Sequence, residues 1–512
     1  MLWDSFIEGI YLAFRWDTFG FMSLGLMLGM FVGALPGFTT VMAMALVLPL
    51  SFFMHPLVGI PFLIGVYKGG IYGGSIPAIL ISVPGTGAAI ATTFDGPKLT
   101  QKGHGRKALE MALFASVIGD ASSDIFTIFM IVPISMIALL IGPPELAAII
   151  VLALVIVAAA STGSMIKGMV MATFGLMLSM VGQDPLEFMS RFTFGSLQLK
   201  SGIPLLPMMI GLFAIPEIMA AIERSMEVGV KAPPKDAHAG ERLRFWEFKR
   251  CLRTIARSTL LGTFIGTVPG VGQPVAAFAG YAAAKNASDH PETFGQGDLE
   301  GVAAAEAANN AVNGPTLVPL LTLGIPGDKV TAILLGAFVA HGLRPGPMLI
   351  VDNGPTVFAI LIAMVMANFL FIGLAYISIP LFARIVTLKR FYLIPIIIVL
   401  AFSGSYVSRS DPFDLQVLCI AGVFGYAARK LEFDVAPLVM AFILGQILEY
   451  SIGQTTNMAS GNVFVYLFTE RLSAGVIFAL VPVLVGVMWY RTIKRRKRGE
   501  KLKSKVIGED FA

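Results

Sequence analysis

Four Pro-Gly pairs interrupt otherwise apolar stretches of this sequence: Pro36-Gly37, Pro84-Gly85, Pro269-Gly270 and Pro326-Gly327. Proline removes a backbone donor and glycine permits unusual dihedrals, so a helix opens at each pair. Opened carbonyls can hold a cation, and the amides that start the next half-helix can hold an anion. Polar and small residues gather beside the breaks: Gly33, Thr39, Thr40, Lys68, Tyr72, Gly73, Gly74, Ser75 and Thr86 in the first half, and Gln273 in the second. With the Pro-Gly pairs they form the candidate substrate-binding set, in which amides and hydroxyls would hydrogen-bond a carboxylate. Asn309, Asn310, Asn313 and Asp328 offer hard oxygens suited to sodium and form the candidate cation-binding set.

Each residue also has a plainer reading. Thr39, Thr40, Thr86 and Asp328 are equally readable as helix N-caps, and the asparagines as interhelical hydrogen-bonders. Lys68 either pairs with a substrate carboxylate or snorkels to the surface. Glu306 either binds a proton or sodium or pairs with a basic group. Asp95, Asp120, Asp124 and Glu217 read as interface caps or structural pairs. No Ser-His-Asp, His-Glu-x-x-His or Walker pattern is present, which leaves no basis for catalysis. Two cysteines, Cys251 and Cys419, and five scattered histidines exclude a disulfide scaffold and a multi-Cys or His zinc site.

The breaks repeat. Gly29-Met-Phe-Val-Gly33-Ala-Leu-Pro36-Gly37 returns as Gly262-Thr-Phe-Ile-Gly266-Thr-Val-Pro269-Gly270, and Pro77 to Gly85 answers Pro319 to Gly327. The second match has the larger offset, so the second half carries extra residues between its breaks, and the acidic stretch Asp289–Glu300 is the obvious place for them. Paired breaks in two halves point to a secondary-transporter binding site, because irregular backbone at membrane depth survives only against protein or a watery cavity. Gly25, Gly29 and Gly33 also form a small-residue packing seam.

The elements that must carry these residues are membrane helices. Apolar residues make up 56% of the 512 and charged residues 13%, against about 25% charged in a soluble domain. Mean hydropathy is +0.79. An ordinary cytosolic enzyme, a disordered chain and a fibrous one are excluded. The fold class expected is all-α and polytopic, with about 10–14 membrane segments, some discontinuous. The start, Met1 to Gly9, shows no signal peptide. Organisation is expected as an N-terminal segment 1–17, membrane repeat 1 over 18–222, a cytoplasmic basic linker 223–257, membrane repeat 2 over 258–490 and a cytoplasmic basic tail 491–512. The repeats are expected to be inverted, about an axis in the membrane plane. Lys/Arg counting puts linker and tail in the cytoplasm, in contact with membrane lipid. Lys98, Lys102, Arg106 and Lys107 suggest another inward loop, whereas Asp289–Glu300 is expected to face out. The net charge of +5 sits at these edges and does not suggest nucleic acid.

The run Tyr72-Gly-Gly-Ser75-Ile-Pro-Ala-Ile-Leu-Ile-Ser-Val-Pro84-Gly85-Thr86, continuing into Ala91-Thr-Thr-Phe-Asp95-Gly96, closely resembles the large membrane subunit of tripartite tricarboxylate transporters, the TctA family. So do Glu300 to Ala311, Leu323-Gly-Ile-Pro326-Gly327 and Arg191-Phe-Thr-Phe-Gly195. The resemblance implies a bacterial inner-membrane permease for citrate-like carboxylates. It implies a small membrane subunit (TctB-like) and a periplasmic solute-binding protein (TctC-like) as partners. Drive would come from a sodium or proton gradient, with no cofactor. The chain departs from the family pattern at Asp328, an acid where a small hydroxyl or amide is common. The alternative reading is a permease for another small solute, driven by a separate ATPase or acting as a pore.

Overall fold

The computed structural model describes residues 2–161, 164–227, 240–386, 390–407, 409–459 and 461–497. Part of the basic linker (228–239) and most of the basic tail (498–512) lie outside the described residues.

Helix α1 (Leu2–Ala13) leads into α2 (Trp16–Ala34), which stops at the first break, where Gly37 takes φ +84°. Helices α3 (Thr40–Ser51), α4 (Pro56–Gly73) and α5 (Ser75–Ile81) follow, and Ser82, at φ 59°, turns the chain into Pro84-Gly85. After that break come α6 (Ala89–Thr92), α7 (Gly96–Gln101) and the long α8 (Gly105–Ala138). Next are α9 (Pro143–Ala160), α10 (Met165–Ser179), a small hairpin of β1 (Gly182–Gln183) and β2 (Ser190–Arg191), and α11 (Leu205–Glu227). The second half repeats the early pattern: α12 (Phe245–Gly266), a break with Gly270 at φ 80°, α13 (Gly272–Ala287), α14 (Leu299–Asn310) and α15 (Leu317–Leu323). Gly324, at φ 72°, then turns into Pro326-Gly327 and α16 (Lys329–Ala340). Helices α17 (Leu349–Ile385), α18 (Arg390–Val407), α19 (Pro412–Lys430), α20 (Ala436–Met458), α21 (Val463–Thr469) and α22 (Leu472–Lys497) complete the chain.

Among the described residues seven helices are long and apolar enough to cross a membrane; Val463–Thr469 with Leu472–Met488, bent by 109°, makes an eighth, and four shorter helices are apolar. The protein is a polytopic all-α membrane protein. The chain falls into two compact units: Met1–Ala138 with Leu205–Tyr426, and Leu139–Pro204 with Ala427–Ala512. In the second unit, Arg191 of the hairpin bridges Asp184 (3.1 Å) and Glu449 (2.5 Å).

All the candidate site residues belong to the first unit. Its centre is a glycine seam. Gly25, Gly29 and Gly33 of α2 lie on the backbone of α4, and Gly65, Gly69 and Gly73 of α4 lie on the backbone of α2. A Cβ at Gly33 would stand 2.5 Å from the Gly70 carbonyl oxygen, so the two backbones touch as only glycines allow. From Leu57 to Leu80 every residue is buried. Gly262 and Gly266 of α12 lie in the same way on Ala308 and Val312. Outward, Phe129, Phe369 and Ile377 are exposed apolar side chains suited to lipid tails.

One expectation is overturned. The acidic stretch and the Lys98–Lys107 loop share a face. Lys98 donates to the Gly295 carbonyl, and Lys102 Nζ donates to the Gln296 carbonyl at 2.7 Å. Lys107 pairs with Glu241 and Glu247 of the linker region at 2.8 Å each. Hydrogen bonding to the Lys107 ammonium holds the Glu241 carboxyl below its usual range. Asp289–Glu300 therefore does not face away from the linker. Carboxylates contribute little to membrane orientation, and here the backbone carbonyls of the stretch accept from the basic side chains beside it.

Candidate functional site

The four breaks converge inside the first unit. The Gly270 amide donates to the Gly327 carbonyl at 2.7 Å, joining the third and fourth breaks. The Gly85 amide donates to Gly74 O at 3.1 Å. A Cβ on Gly85 would lie 2.7 Å from Gly74 Cα and 2.5 Å from the Gly33 carbonyl oxygen, joining the first and second. A Cβ on Gly87 would meet Pro274 Cγ at 3.4 Å, which brings the two halves together. Pro36, Pro326, Gly327 and Asp328 are buried; Pro84, Thr86, Pro269 and Gly270 are half-buried, and Gly87 and Pro274 are exposed. The accessible part of the constellation is thus the Thr86–Gly87 turn facing the start of α13.

The caps occupy matched places. Thr86 Oγ1 accepts the Ala89 amide at 3.3 Å, and Asp328 Oδ1 accepts the Thr331 amide at 2.7 Å. Thr39 caps α3 through the Met42 amide at 3.3 Å. Asp328 Oδ2 accepts from the Tyr67 hydroxyl at 2.6 Å and from the Gln273 amide, which also donates to that hydroxyl. Asp328 therefore ties α4 to the third and fourth breaks. Helix α13, in contrast, begins with no side-chain cap, so the amides of Gly272 and Gln273 (Pro274 has none) are not taken by a capping side chain and suit an anion. Thr40 is buried with its hydroxyl unbonded.

Lys68 lies apart from the breaks and is committed. Its ammonium donates to Asp120 Oδ2 at 2.7 Å, Asp124 Oδ2 at 2.5 Å and Asn368 Oδ1 at 3.4 Å, with all four side chains buried. Asn368 Nδ2 donates back to Asp124 Oδ2 at 2.6 Å, and Asn313 Nδ2 donates to Asp120 Oδ1 at 3.2 Å. Asp120 and Asp124 are thus structural partners of this lysine. Tyr72 Oη reaches the Leu109 carbonyl at 3.4 Å.

The third cluster surrounds Glu306. Its Oε1 accepts from Ser75 Oγ at 2.7 Å and from the Thr92 hydroxyl, and its Oε2 from Ser116 Oγ at 3.3 Å. Asn310 Nδ2 donates to Ser116 Oγ at 2.8 Å. Asn309 adjoins the carboxylate, yet neither atom of its amide makes a hydrogen bond. Ser75, placed by its sequence beside a break, is thus engaged with Glu306.

Sequence reasoning missed Tyr67, Thr92, Ser116 and Asn368. One signal was available: Ser116, Asp120 and Asp124 recur at four-residue spacing in α8, which puts them on one helical face. Asp95 has its own role. Its Oδ1 accepts the amides of Gly295 (2.8 Å), Gly297 (2.7 Å) and Asp298 (2.9 Å), and its Oδ2 accepts Tyr281 Oη at 2.8 Å. It clamps the α13–α14 connection.

Comparison with known proteins places these features. The family described as "Tripartite tricarboxylate transporter TctA family" matches residues 19–440. An Agrobacterium vitis protein described as "Uncharacterized 52.8 kDa protein in TAR-I ttuC' 3'region" is 34% identical over 480 residues, 93% of this chain and 94% of its own length. A second from the same organism, "Uncharacterized protein in TAR-II ttuC' 3'region", is 34% identical over 228 residues, covering 44% of this chain and 94% of its own. No solved structure matches.

Proposed function

Because this chain belongs to the TctA family of tripartite tricarboxylate transporters, we propose that it imports citrate-like tricarboxylates or related organic carboxylates across the bacterial inner membrane, driven by a sodium or proton gradient. It works with a small membrane subunit and a periplasmic solute-binding protein, and its basic tail lies in the cytoplasm. The observation that carries this reading is the meeting of the Thr86–Gly87 turn with the start of α13, where Gly87 adjoins Pro274. Uncapped amides on a helix of 16 residues and a hydroxyl opposite suit a carboxylate.

Charge supports the ion gradient. Deep in the first unit the buried Lys68 ammonium is taken up by Asp120 and Asp124, while Glu306 and Asp328 are buried carboxylates bonded by uncharged donors. Such a core does not by itself attract a polyanion. A cation bound at Asn309, Asn310 or Asn313 and travelling with the substrate would offset the repulsion and couple the two fluxes.

We propose further that residues 18–222 and 258–490 are inverted repeats. Helices α5 and α15 are both seven residues long, and the left-handed residues Ser82 and Gly324 follow them. Phe52, between α3 and α4, packs edge-on against His341, just past α16, with ring centroids 6.4 Å apart. The α13–α14 connection likewise packs on Lys98 and Lys102 near α7. Each half thus returns its post-break segment to the other half's connection, a reciprocity that a twofold axis between the halves accounts for.

The test is uptake by vesicles containing all three subunits, with a panel of carboxylates and either gradient collapsed. Uptake that needs the binding protein and one ion gradient is expected. Uptake that persists with both gradients collapsed and depends on ATP would overturn the proposal.

A further inference from the structure

We infer that Glu306, with the amide oxygens of Asn309 and Asn310 and the Ser116 hydroxyl, forms the binding site for a dehydrated sodium ion, and that Asp328 is not one of its ligands. The inference rests on the ion-coupled reading above and locates the ion.

Lone-pair counting separates the two acids. A carboxylate offers about four acceptor positions. Those of Asp328 are filled: Oδ1 by the Thr331 amide and hydroxyl, Oδ2 by Tyr67 and Gln273. Glu306 is different. Two hydroxyls use Oε1, while Oε2 receives the longer bond from Ser116, and the Asn309 amide lies beside the carboxylate. Glu306 is 0% exposed, and among the described residues no ion pair reaches it. A buried carboxylate without a cation is costly.

Its surroundings are short of positive charge and rich in idle oxygens. Glu306, Asn309, Asn310 and Asn313 lie at i, i+3, i+4 and i+7, along one face of the helix and its exit turn. Asn309 Oδ1 and Nδ2, Asn310 Oδ1 and Asn313 Oδ1 are buried without partners. Unpaired buried acceptors are rare and call for an explanation. A proton on Glu306 would neutralise the acid but satisfy none of the amide oxygens. A cation satisfies several oxygens at once, and one carboxylate among neutral oxygens balances a single positive charge. The hydroxyl of Ser116 can rotate to present a lone pair. The remaining hydroxyls connect the site to the substrate: Ser75 begins α5 and Thr92 ends α6, so both sides of the Pro84-Gly85 break respond to what Glu306 holds.

The experiment measures radioactive sodium binding and sodium-dependent melting of the purified full chain in nanodiscs, at ionic strength held constant with choline chloride. Wild type is expected to bind sodium saturably and to melt at higher temperature in its presence. Glu306→Gln and Asn309→Ala should each raise the apparent Kd at least about tenfold, and Asp328→Asn should change it less than about twofold. Sodium binding by Glu306→Gln at wild-type affinity would overturn the site. Should that variant not fold, wild-type affinity in Asn309→Ala overturns it equally. Wild-type melting that ignores sodium but shifts with pH, the shift vanishing in Glu306→Gln, would replace sodium by a proton and also overturn it. Carboxylate uptake by the three-subunit system is measured in parallel. Intact sodium binding with no carboxylate taken up would sink the proposed substrate and leave the ion site standing; ion-driven uptake unaffected by Glu306→Gln would do the reverse.

Discussion

Replacing Lys68 by methionine separates a structural lysine from a substrate-binding one. The side chain is 0% exposed, and its ammonium is held by Asp120 at 2.7 Å and Asp124 at 2.5 Å. Removing one member of a buried ion pair costs about 3–5 kcal/mol, because the partner charge is stranded. Here two carboxylates are stranded beside each other, so the upper part of that range is expected. Asp124→Asn alone should cost less, since Lys68 keeps Asp120 and the new amide can still donate or accept. The double variant Lys68→Met/Asp124→Asn should recover roughly 0.5–3 kcal/mol of the single lysine loss, the usual coupling between contacting groups. Denaturant titration of the full chain in nanodiscs, followed by tryptophan fluorescence, reads all four proteins. Vesicle uptake gives their KM. If Lys68→Met unfolds like wild type while its KM for the carboxylate rises more than about tenfold, the lysine is a substrate ligand and the ion-pair argument fails.

At the glycine seam, Gly33→Leu should abolish recovery of folded protein on size-exclusion chromatography, because even a Cβ would stand 2.5 Å from the Gly70 carbonyl oxygen. A Cβ at Gly20 on the same helix would meet nothing within 4 Å, and Gly20→Leu should elute as wild type. Asp95→Ala frees three amides of the α13–α14 connection, each bond to a charged group being worth about 1.5–3 kcal/mol. Hydrogen exchange at Gly295, Gly297 and Asp298 should accelerate by more than about tenfold, and unchanged protection would show that other contacts hold the loop.

Pattern alone made the helical membrane fold and the doubled Pro-Gly breaks visible, because both are local: apolar length and chain-breaking residues act within a few positions. Glu306 and the asparagines stood out separately as polar groups in apolar sequence, and their helical spacing puts them on one face. Spacing does not say which helix faces a stripe. Lys68 could not be matched to Asp120 and Asp124 because α4 and α8 meet only after three intervening short helices. Tyr67 looked like one more aromatic in an apolar run, and its bond to Asp328 crosses 261 positions of sequence. The side on which Asp289–Glu300 lies was misjudged because acidity was read as orientation, whereas the stretch is held by local hydrogen bonds to basic side chains.

The Lys68 pairing also has a consequence for how the chain is made. Helix α4 is synthesised before its counter-charges exist. Asp120 follows Lys68 by 52 positions, which at about 5–20 residues per second is roughly 3–10 s of translation. During that interval a segment with a lysine at its middle must enter or await the bilayer, at about 2.5–3.5 kcal/mol for the unpaired charge. Its neighbour α2 is already complete. The glycine face shared by these two helices lets α4 dock before α8 emerges, so the seam serves assembly as a holding surface for a span that is not yet neutral.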